Sequence, residues 1–113
     1  MSTYFGFGIA PSMFPDSCGI VRQPLSLKDV QVAVTMGVIS CLNPSHQTTI
    51  NVMEERFGLV VHIPERAPVV LLKPGDAIIV MGVSGLPRLE GRHEYTDKEI
   101  AAAKFTFSRF AVL

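Results

Sequence analysis

Between Leu59 and Val83 the chain carries three apolar, β-branched runs, "LVVHI" (59–63), "PVVLL" (68–72) and "AIIVMGV" (77–83). Val and Ile lose side-chain freedom in a helix and pack well on a pleated surface, so this stretch commits the domain to a sheet. The last two runs are joined by Lys73-Pro74-Gly75-Asp76. Pro followed by Gly at the two central positions marks a type II turn, and the pair of runs reads as a β-hairpin.

The rest of the chain supplies partners for that sheet. Thr3 to Phe7 reads as a short strand, followed by a Gly/Pro/Ser-punctuated loop through about Gly19. In "PLSLKDVQVAVTMG" Ser26 is an N-cap with Asp29 three residues on, and Leu27, Val30, Val34 and Val38 keep helical spacing. "TDKEIAAAK" is a short helix capped by Thr96 with Glu99 at the capping-box position. "FTFSRFAVL" ends the chain as a strand with Phe105, Phe107 and Arg109 on one face. The expected fold is α/β: one small domain over 1–113, with a mixed, mostly antiparallel sheet packed by a few helices.

With 113 residues there is room for one core, of a size whose stability a second subunit can supplement. Nearly half the residues are apolar and fewer than a fifth are charged, an excess that favours a homodimer. Ten basic residues balance ten acidic ones, so the broad positive field that duplex nucleic-acid binders rely on is missing and any anion site must be local. Cys18 and Cys41 are too far apart for a C-x-x-C motif and too few for a disulfide scaffold, which points to a reducing, cytoplasmic setting. No apolar run approaches the roughly 20 residues that span a bilayer, and the N-terminus lacks the pattern of a signal peptide, so no membrane partner is expected.

Chemistry concentrates at "LNPSHQTTINVMEERFG", residues 42–58. Asn43 as N-cap, Pro44 at the first helical position and Gly58 as the stop define a helix. His46, Ile50, Met53 and Phe57 are four, three and four apart, which puts the histidine where the buried stripe runs out. Backbone N–H groups of a first helical turn lack partners inside the helix and sit at the positive end of its dipole, an attractive place for a phosphate, and Thr48 and Thr49 can add hydroxyl donors. On spacing alone, the simpler reading is a boundary histidine beside ordinary polar cap residues.

"SHQTTI" at 45–50 resembles the Gly-His-Asp-Ser-Thr-Ile motif of the small viral anti-CRISPR ring nucleases that antagonise type III systems, and of their bacterial relatives. "YFGFGIAPSMF" looks like that family's first strand and ligand-contacting loop, "VHIPER" like its connecting segment, "KPGDAIIVMGV" like its hairpin, and "RLEG…YTDKEI" like its stretch before the last helix. The resemblance implies a homodimer that binds cyclic tetra-adenylate across its two-fold axis and linearises it with no cofactor and no metal. It assigns His46 to the scissile phosphodiester and places Glu90 with it in the catalytic set. It assigns Ser45, Gln47, Thr48, Thr49, Arg66 and Arg88 to the substrate, together with Ile9 and Ala10 of the N-terminal loop. Gln47 stands where relatives carry Asp, Phe7 where the viral proteins carry Asn, and the loop at 88–91 is one residue shorter.

The chemistry needs no protein nucleophile, because the ribose 2′-hydroxyl can attack its own phosphorus and leave a 2′,3′-cyclic phosphate. The protein must align that hydroxyl, steady the charge and protonate the departing 5′-oxygen, for which a histidine, an arginine or two and a helix start suffice. His46, His62 and His93 are scattered, with no H-x-x-x-H or H-E-x-x-H helix, so metal-assisted cleavage is not expected. Glu54, Glu55 and Arg56 read as a solvated helix face, Arg22, Lys28 and Arg109 as surface charges, His62 as a packed or edge residue, and His93 as an exposed loop residue. A non-catalytic module that sequesters a cyclic nucleotide, and a structural protein whose polar residues only cap, stay open beside the nuclease.

Overall fold

The computed structural model of the chain describes residues 1–66, 68–85 and 97–113. Its frame is a five-stranded mixed sheet built from β1 (Thr3–Gly6), β2 (Ile20–Leu25), β3 (Ile39–Ser40), β4 (Ala77–Ser84) and β5 (Lys104–Val112), in the order β2-β5-β4-β1-β3. β5 runs antiparallel to both β2 and β4, and these are the long ladders. β1 runs parallel to β3 and β4. The α/β architecture with a mixed sheet is thus the expected one. β2, which the sequence did not announce, is an exposed edge strand. Its Pro24 is tolerated there because an edge strand has a side on which no ladder donor is needed.

Among the described residues three α-helices accompany the sheet: α1 (Leu27–Met36), α2 (Gln47–Phe57) and α3 (Asp97–Ala102). α1 begins as its sequence demands. The Ser26 hydroxyl accepts from the Asp29 N–H at 3.1 Å, and the Asp29 carboxylate accepts from the Ser26 N–H at 3.2 Å, a reciprocal capping box. α2 stops at Gly58, whose φ of 66° is left-handed and suits a residue without Cβ. Thr96, proposed to cap α3, lies outside the described residues.

Alternation along the strands divides the core into two layers. Phe5, Ile79, Met81 and Phe107 point to the helical side, where they meet Val30 of α1, Ile50 and Met53 of α2, and Leu59 and Val61. Ile78 and Val112 point to the other side, covered by Val70 and Leu72 with Met13 and Phe14. Each fully buried aliphatic or thioether side chain here contributes about 1.5–3 kcal/mol of transfer free energy, so α2 is fastened chiefly by Ile50 and Met53. Phe57 adds edge-to-face contacts with Phe105 and Phe107. Arg56, expected as a plain solvated charge, lays its guanidinium over the Phe57 and Phe105 rings at 5.7 and 5.2 Å.

The predicted hairpin is corrected. Its turn forms: the Asp76 N–H donates to the Lys73 carbonyl at 2.8 Å and Gly75 has φ 93°, as a type II turn requires. Residues 68–72, however, make no strand, and neither do 59–63. Both edges of β4 are already occupied, by β1 and β5. The 68–72 run instead lies against the sheet's second face, with the Leu72 N–H donating to the Met13 carbonyl at 2.7 Å. Its alternation, Val70 and Leu72 buried and Val69 and Leu71 exposed, comes from lying on a surface and not from a ladder.

Candidate functional site

The segment leading into α2 is built in two steps. Asn43 is extended, and its side-chain oxygen accepts from the Ser45 N–H at 2.9 Å. Pro44–His46 then form one 3₁₀ turn, in which the His46 N–H donates to the Asn43 carbonyl at 2.9 Å and the Gln47 N–H to the Pro44 carbonyl. This modifies the expectation of a helix start rich in unpartnered donors: the N–H groups of Ser45, His46 and Gln47 are all engaged within the turn. Asn43 caps the 3₁₀ turn, and the residue at the N-cap of α2 itself is His46, with φ −99° and ψ 25°.

His46 caps nothing with its side chain. Its imidazole is exposed and stands against the Phe7 ring, centroids 5.5 Å apart and planes at 79°. Among the described residues its ring nitrogens have no hydrogen-bond partner. The ring lies on the rim of the apolar stripe, as the spacing implied, since Ile50 and Met53 are fully buried one and two turns on.

His46 and Phe7 form part of the wall of a hollow of about 310 Å³, whose other lining residues are Gly6, Gly8, Met13 and Cys41. β1 delivers Gly6 and Phe7. The Cys41 N–H donates to the Phe5 carbonyl at 2.8 Å, which holds the chain just after β3 beside the end of β1. A side chain at Gly6 would crowd this junction, because its Cβ would stand 3.3 Å from the Cys41 Cβ. Burial pushes the Cys41 thiol up, opposed by a hydrogen bond from the Phe5 backbone, so Cys41 presents a protonated, weakly polar surface to the hollow.

A second hollow of about 570 Å³ shares the loop after β1 and is lined by Ile9, Ala10, Pro11, Phe14, Pro15, Asp16, Cys18 and Ile20. The two N-terminal residues assigned to the substrate, Ile9 and Ala10, belong to this second hollow. The remaining candidates are placed as follows. Ser45 and Gln47 are exposed beside His46, and the Gln47 amide donates to the Asn51 side chain at 2.8 Å, one turn along α2. Thr48 and Thr49 are half-buried in the first turn of α2, and Arg66 is exposed between Ile63 and Pro68. None of these five lines the hollow that His46 does. Arg88, Glu90 and His93 lie outside the described residues. His62 is exposed, and among the described residues no three His, Cys, Asp or Glu side chains converge.

The residue that sequence reasoning passed over is Phe7. It was noted only as a substitution for Asn in a strand, and no local signal connects it to a histidine 39 positions later. Their contact follows from the parallel pairing of β1 with β3, Phe5 opposite Ser40, which brings the ends of both strands together.

Compared with known proteins, the chain matches no family model and no curated protein. Among solved structures it is similar to B116 of Sulfolobus turreted icosahedral virus, with a TM-score of 0.70 and 20% identity over 98% of this chain and 99% of that one. At that identity the likeness concerns the fold. Among the described residues no helix is long and apolar enough to cross a membrane.

Proposed function

We propose that this protein is a metal-independent ring nuclease of the viral anti-CRISPR kind, which binds cyclic tetra-adenylate as a homodimer, linearises it and so switches off type III CRISPR signalling. The observation that carries the reading is the state of His46: an exposed imidazole that packs on Phe7 at the wall of a hollow, caps nothing with its side chain and has both ring nitrogens without a hydrogen-bond partner among the described residues. The fold shared with a viral protein agrees with it. A ring of four nucleotides exceeds a hollow of about 310 Å³, which is why the reading calls for a second copy to complete the site across a two-fold axis.

In the proposed reaction the ribose 2′-oxygen attacks the adjacent phosphorus and its proton passes to solvent or to a base, for which Glu90 is the candidate. The bond from phosphorus to the 5′-oxygen breaks, and protonated His46 gives its proton to that oxygen. The products are a 2′,3′-cyclic phosphate and a free 5′-hydroxyl. Arg66 and Arg88 hold phosphates by forked, charge-assisted hydrogen bonds that Lys cannot reproduce. Thr48 and Thr49 bind beside them at the start of α2, where the dipole favours an anion.

One observation favours a second reading, sequestration without cleavage. Gln47 replaces the family's Asp and is tied to Asn51, so no carboxylate stands next to His46 in the chain. Incubating the purified protein with cyclic tetra-adenylate in EDTA and resolving the products separates the two. Linear product carrying a 2′,3′-cyclic phosphate is expected. Tight binding of an intact ring would establish sequestration, and neither binding nor cleavage would remove both. Scattering that gave a monomer with and without the ring would remove the shared site.

A further inference from the structure

Resting on the ring-nuclease reading, we propose that Phe7 is the positioning residue of His46, holding the imidazole at the angle from which it protonates the leaving oxygen. A histidine acting as general acid is usually oriented through one ring nitrogen by a carboxylate or carbonyl. Among the described residues His46 has no such partner, and its ring packs edge-to-face on Phe7. Phe7 is suited to hold a neighbour because it is held itself: it directly follows β1, is half-buried and packs against the helix-side core.

The arrangement has a chemical consequence. Aromatic pairs prefer edge-to-face geometry over a parallel sandwich, so the contact restricts the tilt of the imidazole without occupying either nitrogen. One nitrogen can then face the leaving oxygen while the other faces water, and the ring can be reprotonated from solvent after each turnover. The viral proteins that the sequence resembles carry Asn at this position, so the device belongs to this chain and does not come with the resemblance.

The test compares Phe7→Leu, which keeps apolar volume and removes the ring, with Phe7→Tyr, which keeps the ring. Single-turnover cleavage of cyclic tetra-adenylate is measured over a range of protein concentration, alongside a thermal melt and the ring resonances of His46 by NMR. Phe7→Leu is expected to lower the limiting rate about 2- to 10-fold, the range an aromatic pair commands, with the half-saturating concentration little changed. The His46 resonances move as the Phe7 ring current is lost, and Phe7→Tyr restores both rate and resonances. If Phe7→Leu unfolds at the assay temperature, Phe7→Met takes its place. A Leu or Met variant that cuts at the wild-type rate overturns the proposal while leaving the nuclease reading intact, as does a rate loss matched by a loss of folded protein. A wild type that binds the ring and does not cut overturns the nuclease reading, and the positioning role with it.

Discussion

Two Pro-led turns, Asn43–His46 and Lys73–Asp76, use the same local chemistry to opposite ends. At the second, the Asp76 carboxylate accepts from the Ser2 N–H at 2.8 Å and from the Lys73 N–H at 3.1 Å. The Asp76 carbonyl takes the Val112 N–H at 3.1 Å, and the Gly75 N–H donates to the Val112 carbonyl at 3.0 Å. Both oxygens of the Asp76 carboxylate are engaged, and the turn ties Ser2 and Val112 to the start of β4. At the first turn the N–H groups of Ser45, His46 and Gln47 are engaged, but the imidazole of His46 is not. Among the described residues the imidazole makes no hydrogen bond and is held against the Phe7 ring. On the proposed reading the engaged Asp76 carboxylate serves stability, whereas the unbonded imidazole of His46 serves chemistry.

His46→Ala tests that contrast most severely. Cleavage should fall about 10²-fold or more, the low end of what a lost general acid costs, while the melting temperature stays near wild type because Asn43 and not His46 caps the turn. Ring binding should weaken only modestly. A variant that melts early and loses cleavage only in proportion to its folded fraction would make His46 structural and erase the difference between the turns. Asn43→Ala comes next. Losing the cap should cost about 1 kcal/mol by denaturant unfolding, with a fall in rate smaller than that of His46→Ala, since the 3₁₀ turn that carries the imidazole is loosened. Unfolding curves and single-turnover rates measured together would separate the two contributions.

The same turns mark what was legible in the sequence. Asn43, Pro44 and Gly58 fixed α2, Ser26 and Asp29 fixed α1, and Pro74-Gly75 fixed the turn before β4, because capping and turn chemistry are local and depend on residues three or four apart. The strands at 59–63 and 68–72 were misread because a period of two reports burial on one side and says nothing of a hydrogen-bonding partner. β2 went unread because its residues are exposed and its partner among the described residues, β5, lies more than eighty positions away. His46 was legible as a candidate from its place on the stripe. Its companion Phe7 was not, because the contact depends on a parallel strand pair. That the 3₁₀ turn engages the N–H groups of Ser45, His46 and Gln47 was likewise hidden, since sequence alone gives one helix where the chain makes a turn and then a helix.

Asp76→Asn probes the second turn. Two backbone donors hold the Asp76 carboxyl below the ordinary aspartate value, with the nearby N-terminal amine and Lys73 adding to this and slight desolvation opposing it. A carboxyl depressed in the folded state stabilises fully above its unfolded value, about 3.9, and that contribution is lost as pH falls through this value toward the folded one. Wild type should therefore lose stability below about pH 4 through Asp76, and Asp76→Asn should melt earlier at neutral pH with a shallower acid dependence. Cleavage per folded molecule should not change. A fall in rate at constant folded fraction would show that the two turns are coupled and that the contrast between them is too sharp.

The smallest effect concerns Gln47. Its amide is committed to Asn51 across one turn of α2, an exposed pair four residues apart of a kind worth about 0.2–0.5 kcal/mol. If the pair only supports the helix, Gln47→Ala and Asn51→Ala should each lose that small amount, the double variant should lose no more than either alone, and affinity for cyclic tetra-adenylate should stay the same in all three. If Gln47 instead leaves Asn51 to reach the ring, binding must first break the pair. Asn51→Ala would then bind more tightly than wild type because the competitor is gone, while Gln47→Ala would bind more weakly. Opposite signs from two variants that cost the helix the same cannot come from stability, so affinities paired with unfolding curves decide the matter even at this scale. Equal, unchanged affinities are the expected result, and they would confine Gln47 to supporting the helix beside His46.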